Sequence, residues 1–176
     1  MKKKSIYIIF FISIIIFIGC INKHDKKLAK IRELEKTSLF TSDGLADSLH
    51  IIKLIDAYNG YSTSFPEDSL TPEFLFANSR LYIIINDFNS AIKTLDNIIE
   101  KYPSNNRIPD CIFLKANIYE NYLHDFVNAR KSYEILIDKY PNHNLSKESK
   151  ILLENLGKSP EELLQSILAK RTNQNS

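Results

Sequence analysis

The sequence predicts an all-α fold of stacked helical hairpins, and three observations carry that expectation. Thr71-Pro72-Glu73-Phe74-Leu75-Phe76 recurs in form as Ile108-Pro109-Asp110-Cys111-Ile112-Phe113. Tyr102-Pro103 recurs as Tyr140-Pro141. Between these markers the apolar residues fall at three- and four-residue steps, the spacing of one helix face. The two prolines are 37 residues apart and the two Tyr-Pro pairs 38, so the second copy holds one extra residue. It falls in the turn, where Ile85-Asn86-Asp87-Phe88 becomes Tyr122-Leu123-His124-Asp125-Phe126.

At the start of the chain, Lys2, Lys3 and Lys4 precede a thirteen-residue apolar run from Ile6 to Ile18. A basic start before such a run reads as an export signal. As a helix the run reaches about 20 Å, short of the ~30 Å hydrocarbon core. Its ending, Phe17-Ile18-Gly19-Cys20, resembles the lipobox of bacterial lipoproteins, with Phe17 where Leu, Val or Ala is more usual. The resemblance implies a signal peptide at 1–19, lipid on Cys20 and a lipidated tether over 20–26. A plain membrane anchor and ordinary secretory cleavage stay open as alternatives. Ile21 stands where inner-membrane lipoproteins commonly carry aspartate, which favours an outer membrane.

Cleavage before Cys20 would alter the charge balance. The chain has 23 Lys and Arg against 21 Asp and Glu, and losing three lysines leaves 20 against 21. Nucleic-acid binding needs clustered cations to neutralise phosphates, so no nucleic-acid partner is expected. The densest basic stretch, Lys23 to Lys30, suits a solvated tether or a place against anionic headgroups. With Cys20 lipidated, Cys111 has no partner for a disulfide and reads as a small core residue.

The helical domain is expected over 27–171. Its first, degenerate unit covers 27–66: a helix from Lys27 to Leu39 carries Leu28, Ile31 and Leu34 on a stripe, and Thr41 to Gly44 turns the chain. A second helix from Ala46 to Ser64 directs Ile51, Leu54, Ile55 and Tyr58 inward. In the two clear repeats, 71–103 and 108–141, proline followed by an acid opens the first helix, where proline lacks no needed N–H and the acid complements the helix dipole. Asp87 and Asp125 are placed to cap the second helices. Pro103 and Pro141 stop them. C-terminal helices fill 146–171: Ser146 to Leu156 is ended by Gly157, and Ser159-Pro160-Glu161-Glu162 reads as a capping box. Residues 172–176 form a polar tail.

This pattern resembles the tetratricopeptide repeat (TPR). The family's repeat positions are held by Leu75, Ser79, Tyr82, Ala91, Leu95, Ile98 and Pro103 in the first copy, and by Ile112, Ala116, Tyr119, Ala129, Tyr133, Leu136 and Pro141 in the second. The chain departs from the family in its longer period and in lacking tryptophan. The resemblance implies a right-handed α-α superhelix of TPR-like hairpins. Lengthened units with a Tyr-Pro ending look like those of outer-envelope TPR lipoproteins, such as accessories of outer-membrane β-barrel assembly or the Tol-Pal-associated TPR protein.

For enzymatic chemistry the sequence offers little. Gly44, Gly60 and Gly157 are too dispersed for a phosphate-binding loop. His24, His50, His124 and His143 lack metal-ligand spacing. Glu33, Glu35, Glu100 and Glu134 read as solvated faces. The expectation is a non-enzymatic adaptor with no cofactor and no metal, with an envelope hydrolase as the less favoured alternative; its partner is another envelope protein or a peptide segment and its membrane attachment is the lipid on Cys20. It would face the periplasm from the outer membrane. In the repeat frame the concave face is formed by first helices, at Glu73, Phe76, Arg80, Ile83 and Ile84 and at Asp110, Phe113, Asn117, Glu120 and Asn121. Phe76 and Phe113 fit packing between helices equally well.

Overall fold

A computed structural model describes residues 23–165 and 168. The leader at 1–19, lipidation at Cys20 and the tail at 172–176 lie outside the described residues. Among these the chain is helical, with one isolated antiparallel bridge between Phe40 and Ala46. No helix among them is long and apolar enough to cross a membrane. The chain forms two compact units, Met1–Asn86 and Asp87–Ser176.

The first unit holds α1 (23–35), α2 (Ser48–Ser64) and α3 (Thr71–Ile84). Its core gathers Ile31, Ile51, Leu54, Ile55, Tyr58, Tyr61 and Leu81. α1 and α2 run antiparallel: the Lys27 ammonium donates to the Gly60 carbonyl at 2.9 Å, and at the other end His50 Nε2 donates to the Leu34 carbonyl at 3.0 Å.

The bounds of α1 correct the sequence reading in two places. Residues 23–26, expected in the tether, are already helical. The cause is tertiary: the His24 ring packs edge-on to Phe65 at 5.0 Å, and its Nε2 lies 3.0 Å from Asp68 Oδ2 and 2.7 Å from the Tyr61 hydroxyl. The helix also stops at 35, four residues before Leu39. There Ser38 donates its hydroxyl to the Phe40 carbonyl and accepts from the Phe40 amide, a local pairing that competes with helix. α2 then begins at Ser48, capped by Asp47, whose carboxylate accepts from the His50 amide at 3.0 Å.

The second unit holds α4 (Phe88–Lys101), α5 (Ile108–Asn121), α6 (Phe126–Lys139) and α7 (Asn144–Asn155), and is helical again at 160–165. Consecutive helices pack on one another, and α5 also reaches α7, the neighbour-but-one contact of a repeating hairpin array. Helices α3 to α6 are each 14 residues long. Asp87 and Asp125 cap α4 and α6 by accepting from the Ser90 and Asn128 amides at 3.1 Å. Each is preceded by a residue in the left-handed region, Asn86 at φ 61 and His124 at φ 49. The extra residue of the second copy therefore lies between the end of α5 and that shared exit. Ala91 and Ala129, at the matched repeat positions, are fully buried, as are Leu95, Ile98, Tyr133 and Leu136. α7 starts two residues before the expected Ser146, because His143 Nδ1 accepts from the Leu145 amide at 3.3 Å. Ser159 and Glu162 cap each other's backbone amides at 3.2 and 2.8 Å.

Candidate functional site

The early end of α1 opens a cavity in the first unit. Its volume is about 250 Å³, and it lies between the segment that leaves α1 and the facing sides of α2 and α3. Leu54 and Tyr58 from α2 and Leu81 from α3 are buried and make its floor. Leu39, Ala77 and Ile84 extend the apolar wall, and Glu35, Thr37 and Arg80 bring polar groups to it.

Two polar features give this apolar hollow direction. Tyr58 donates its hydroxyl to Glu35 Oε1 at 2.8 Å, and its ring stacks on Phe74 at 5.2 Å, which fixes both. Burial, and then the carboxylate, push the Tyr58 phenol far above its ordinary range, so it stays a donor. Glu35 was expected on a solvated face; although exposed, it is held by this bond. Arg80, by contrast, is exposed, and among the described residues its guanidinium has neither an ion pair nor a hydrogen bond. An unengaged guanidinium beside an apolar hollow is a ready two-point donor to a carboxylate.

The sequence-predicted residues fall into two groups. On α3, Arg80 and Ile84 line the cavity, while Glu73, Phe76 and Ile83 are half-buried and lie outside it. The α5 set belongs to the second unit, and much of it is engaged there. The Phe113 ring centroid is 6.0 Å from that of Tyr133, and Phe113 packs on the Ala116, Ala129 and Tyr133 cluster. Glu120 accepts from the Tyr133 hydroxyl at 2.6 Å. Asn121 donates to the Asn117 carbonyl at 3.3 Å, and Asp110 sits half-buried in the first turn of α5. A second hollow of about 230 Å³ lies among α4, α5 and α6, but its charges are partly matched internally, with Lys115 Nζ 2.5 Å from Asp96 Oδ1.

Sequence reasoning missed Glu35, Thr37, Leu39, Leu54, Tyr58, Ala77 and Leu81 as cavity residues. It extended α1 through Leu39, which would have carried Thr37 and Leu39 along the helix instead of across the hollow. The Thr37-Ser38 pair was the available signal, since both side chains compete with helical hydrogen bonding.

Residues 110–143 match the family model of the tetratricopeptide repeat. That stretch is similar to a TPR hairpin. It takes in α5 from its third residue, all of α6 and the turn after Tyr140. No curated protein matches the chain. A TPR match suggests a protein-protein interaction module, and the first-unit hollow lies outside the matched residues.

Proposed function

We propose that this protein is a non-enzymatic adaptor of the bacterial cell envelope, anchored through a lipid on Cys20 and facing the periplasm from the outer membrane. Its partner is another envelope protein or peptide segment. The observation that carries the binding role is the hollow of about 250 Å³ whose buried floor of Leu54, Tyr58 and Leu81 is flanked by the unpaired Arg80. An aliphatic or aromatic side chain of the partner enters the hollow, and a neighbouring carboxylate meets Arg80. The match of 110–143 to a TPR supports the interaction role. Within the second unit, Asp110 and Asn117 remain the proposed contacts on α5, with Phe113, Glu120 and Asn121 held chiefly by their own hairpin.

The anchoring is supported by the basic start, the short apolar run and Gly19-Cys20. Cys20→Ser should abolish lipid labelling and leave an unprocessed precursor; efficient release of soluble protein from that variant would point to an ordinary secretory leader. For the partner, crosslinking in the native cells through a photoreactive residue at position 84 should give discrete adducts with envelope proteins. Barrel-assembly components would indicate one process and cell-wall enzymes another. Adducts no different from those obtained at exposed Lys131 would count against the cavity.

A further inference from the structure

The side of the α1–α2 hairpin that faces away from the cavity combines two features rarely left together in water. Lys23, Lys26, Lys27 and Lys30 follow at three- and four-residue steps, so the onset of helix at 23 aligns all four on one side of α1. Lys53 of α2 joins them, sharing a hollow of about 220 Å³ with Lys27 and Lys30. Asp56 is the acid in that hollow, and Glu33 is exposed at its flank. Along α2 the same face continues through Leu49 and Ile52, which are 64% and 47% exposed. Phe40 and Leu45, in the turn before α2, are 49% and 67% exposed.

We infer that this face is a contact surface for an anionic lipid bilayer. Surfaces that lie in a membrane interface put apolar side chains at the acyl boundary and long cations among the headgroups, and this face has both in adjoining positions. The stems of Lys23, Lys26, Lys30 and Lys53 reach along the apolar surface while their ammonium groups stay at phosphate level, and the Lys27 ammonium is held by the Gly60 carbonyl. The geometry of the chain favours a bilayer as the occupant. Only four residues separate Ile18, the end of the apolar run, from Lys23, so the two are at most about 18 Å apart. Wherever that run or a lipid on Cys20 enters a membrane, the lysine row is held within reach of the headgroups. Leu54 and Tyr58 point to the other side of α2, so bilayer contact leaves the cavity open to a partner. The inference rests on the membrane location proposed above but not on lipidation of Cys20.

The chain contains no tryptophan, so a single introduced indole reports its own surroundings. Full-length Ile52→Trp is compared in vesicles of phosphatidylcholine alone and of equal parts phosphatidylcholine and phosphatidylglycerol, with Val127→Trp, 79% exposed in the second unit, as control. The expected result is a blue shift of the Ile52→Trp emission in the anionic vesicles only, reversed by high salt, with Val127→Trp unchanged. Adding Lys26→Glu, Lys30→Glu and Lys53→Glu should weaken the shift at least tenfold in lipid concentration, while Lys131→Glu, Lys147→Glu and Lys150→Glu should not. Lys27 is left in place because it bonds Gly60. If the charge-reversed variant loses its helical circular dichroism, salt reversal on the unreversed Ile52→Trp chain decides. Flotation with vesicles while the indole stays unshifted overturns the face and leaves the anchoring intact. Failure to float with either vesicle overturns both.

Discussion

Tyr133 donates its hydroxyl to Glu120 Oε2 at 2.6 Å, joining the two helices of the α5–α6 hairpin by a charge-assisted bond. Tyr133 is fully buried, and burial followed by the Glu120 carboxylate drives its phenol well above the ordinary range. Glu120→Ala should therefore strand a buried hydroxyl and cost about 1 to 3 kcal/mol, more than Tyr133→Phe at about 1 kcal/mol. Urea unfolding of the two variants and their double mutant checks this. A double mutant as unstable as the two losses added together would show that the pair is not coupled.

Ala91 and Ala129 occupy matched, fully buried positions on α4 and α6. Enlarging either to Leu should destabilise the protein by about 1 to 3 kcal/mol through overpacking. Lys93→Ala, on the exposed side of α4, should change stability by no more than about 0.5 kcal/mol. Denaturant melts of all three that overlay the wild type would contradict the hairpin packing.

The caps set an acid limit on stability. The Ser90 side chain and amide hold the Asp87 carboxyl below its ordinary value of 3.8, and Asn128 does the same for Asp125. Because folded values are depressed, the contribution is present above about pH 3.8 and disappears as pH falls through the lower folded values. Asp87→Ala should cost about 1 kcal/mol at neutral pH and flatten the acid limb of stability. Parallel melts at neutral and acid pH read both effects.

The clasp at the start of α1 titrates at both ends. Hydrogen bonds to Asp25, then Asp68, raise His24 above 6.5, while the Leu70 amide and then desolvation and His24 act on Asp68, with a net fall below 3.8. The His24 contribution is full below pH 6.5 and is lost as pH rises through its raised value. That of Asp68 is present above 3.8 and is lost as pH falls through its depressed value. Amide protection over 23–30 should thus be greatest between these limits. His24→Phe keeps the ring against Tyr61 and Phe65 but should remove the alkaline loss of protection; an unchanged pH profile would show that the clasp does not titrate.

The repeats were legible because their signals are local. A proline with an acid opens a helix, an aspartate caps the next and Tyr-Pro closes it, whatever surrounds them. Asn86 and His124 add a conformational signal at the two exits, since both residue types tolerate positive φ better than most. The start of α1 was not legible, because it depends on His24 meeting Tyr61, Phe65 and Asp68 across 37 to 44 residues of chain, whereas its end was signalled locally at Thr37-Ser38. The cavity was half legible. The repeat frame singled out Arg80 and Ile84 on α3, but the opposite wall exists only because the chain leaves the helix at residue 35. Glu120 reads as exposed in the frame, and only the fold shows it committed to Tyr133.

The central claim is that the cavity of the first unit recognises a partner through Arg80. The most direct measurement is titration calorimetry of Arg80→Glu and wild type against the partner recovered by crosslinking, with circular dichroism verifying an unchanged helical fold. Reversing the charge replaces an attraction to the partner carboxylate by repulsion, so affinity should fall at least about tenfold, equivalent to about 1.4 kcal/mol. Asn117→Ala, made separately, tests the proposed α5 contacts of the second unit, and Asn121→Ala should add little because that side chain is bonded to its own helix. Undiminished affinity of the folded Arg80→Glu protein would contradict the account and remove the cavity as the binding site.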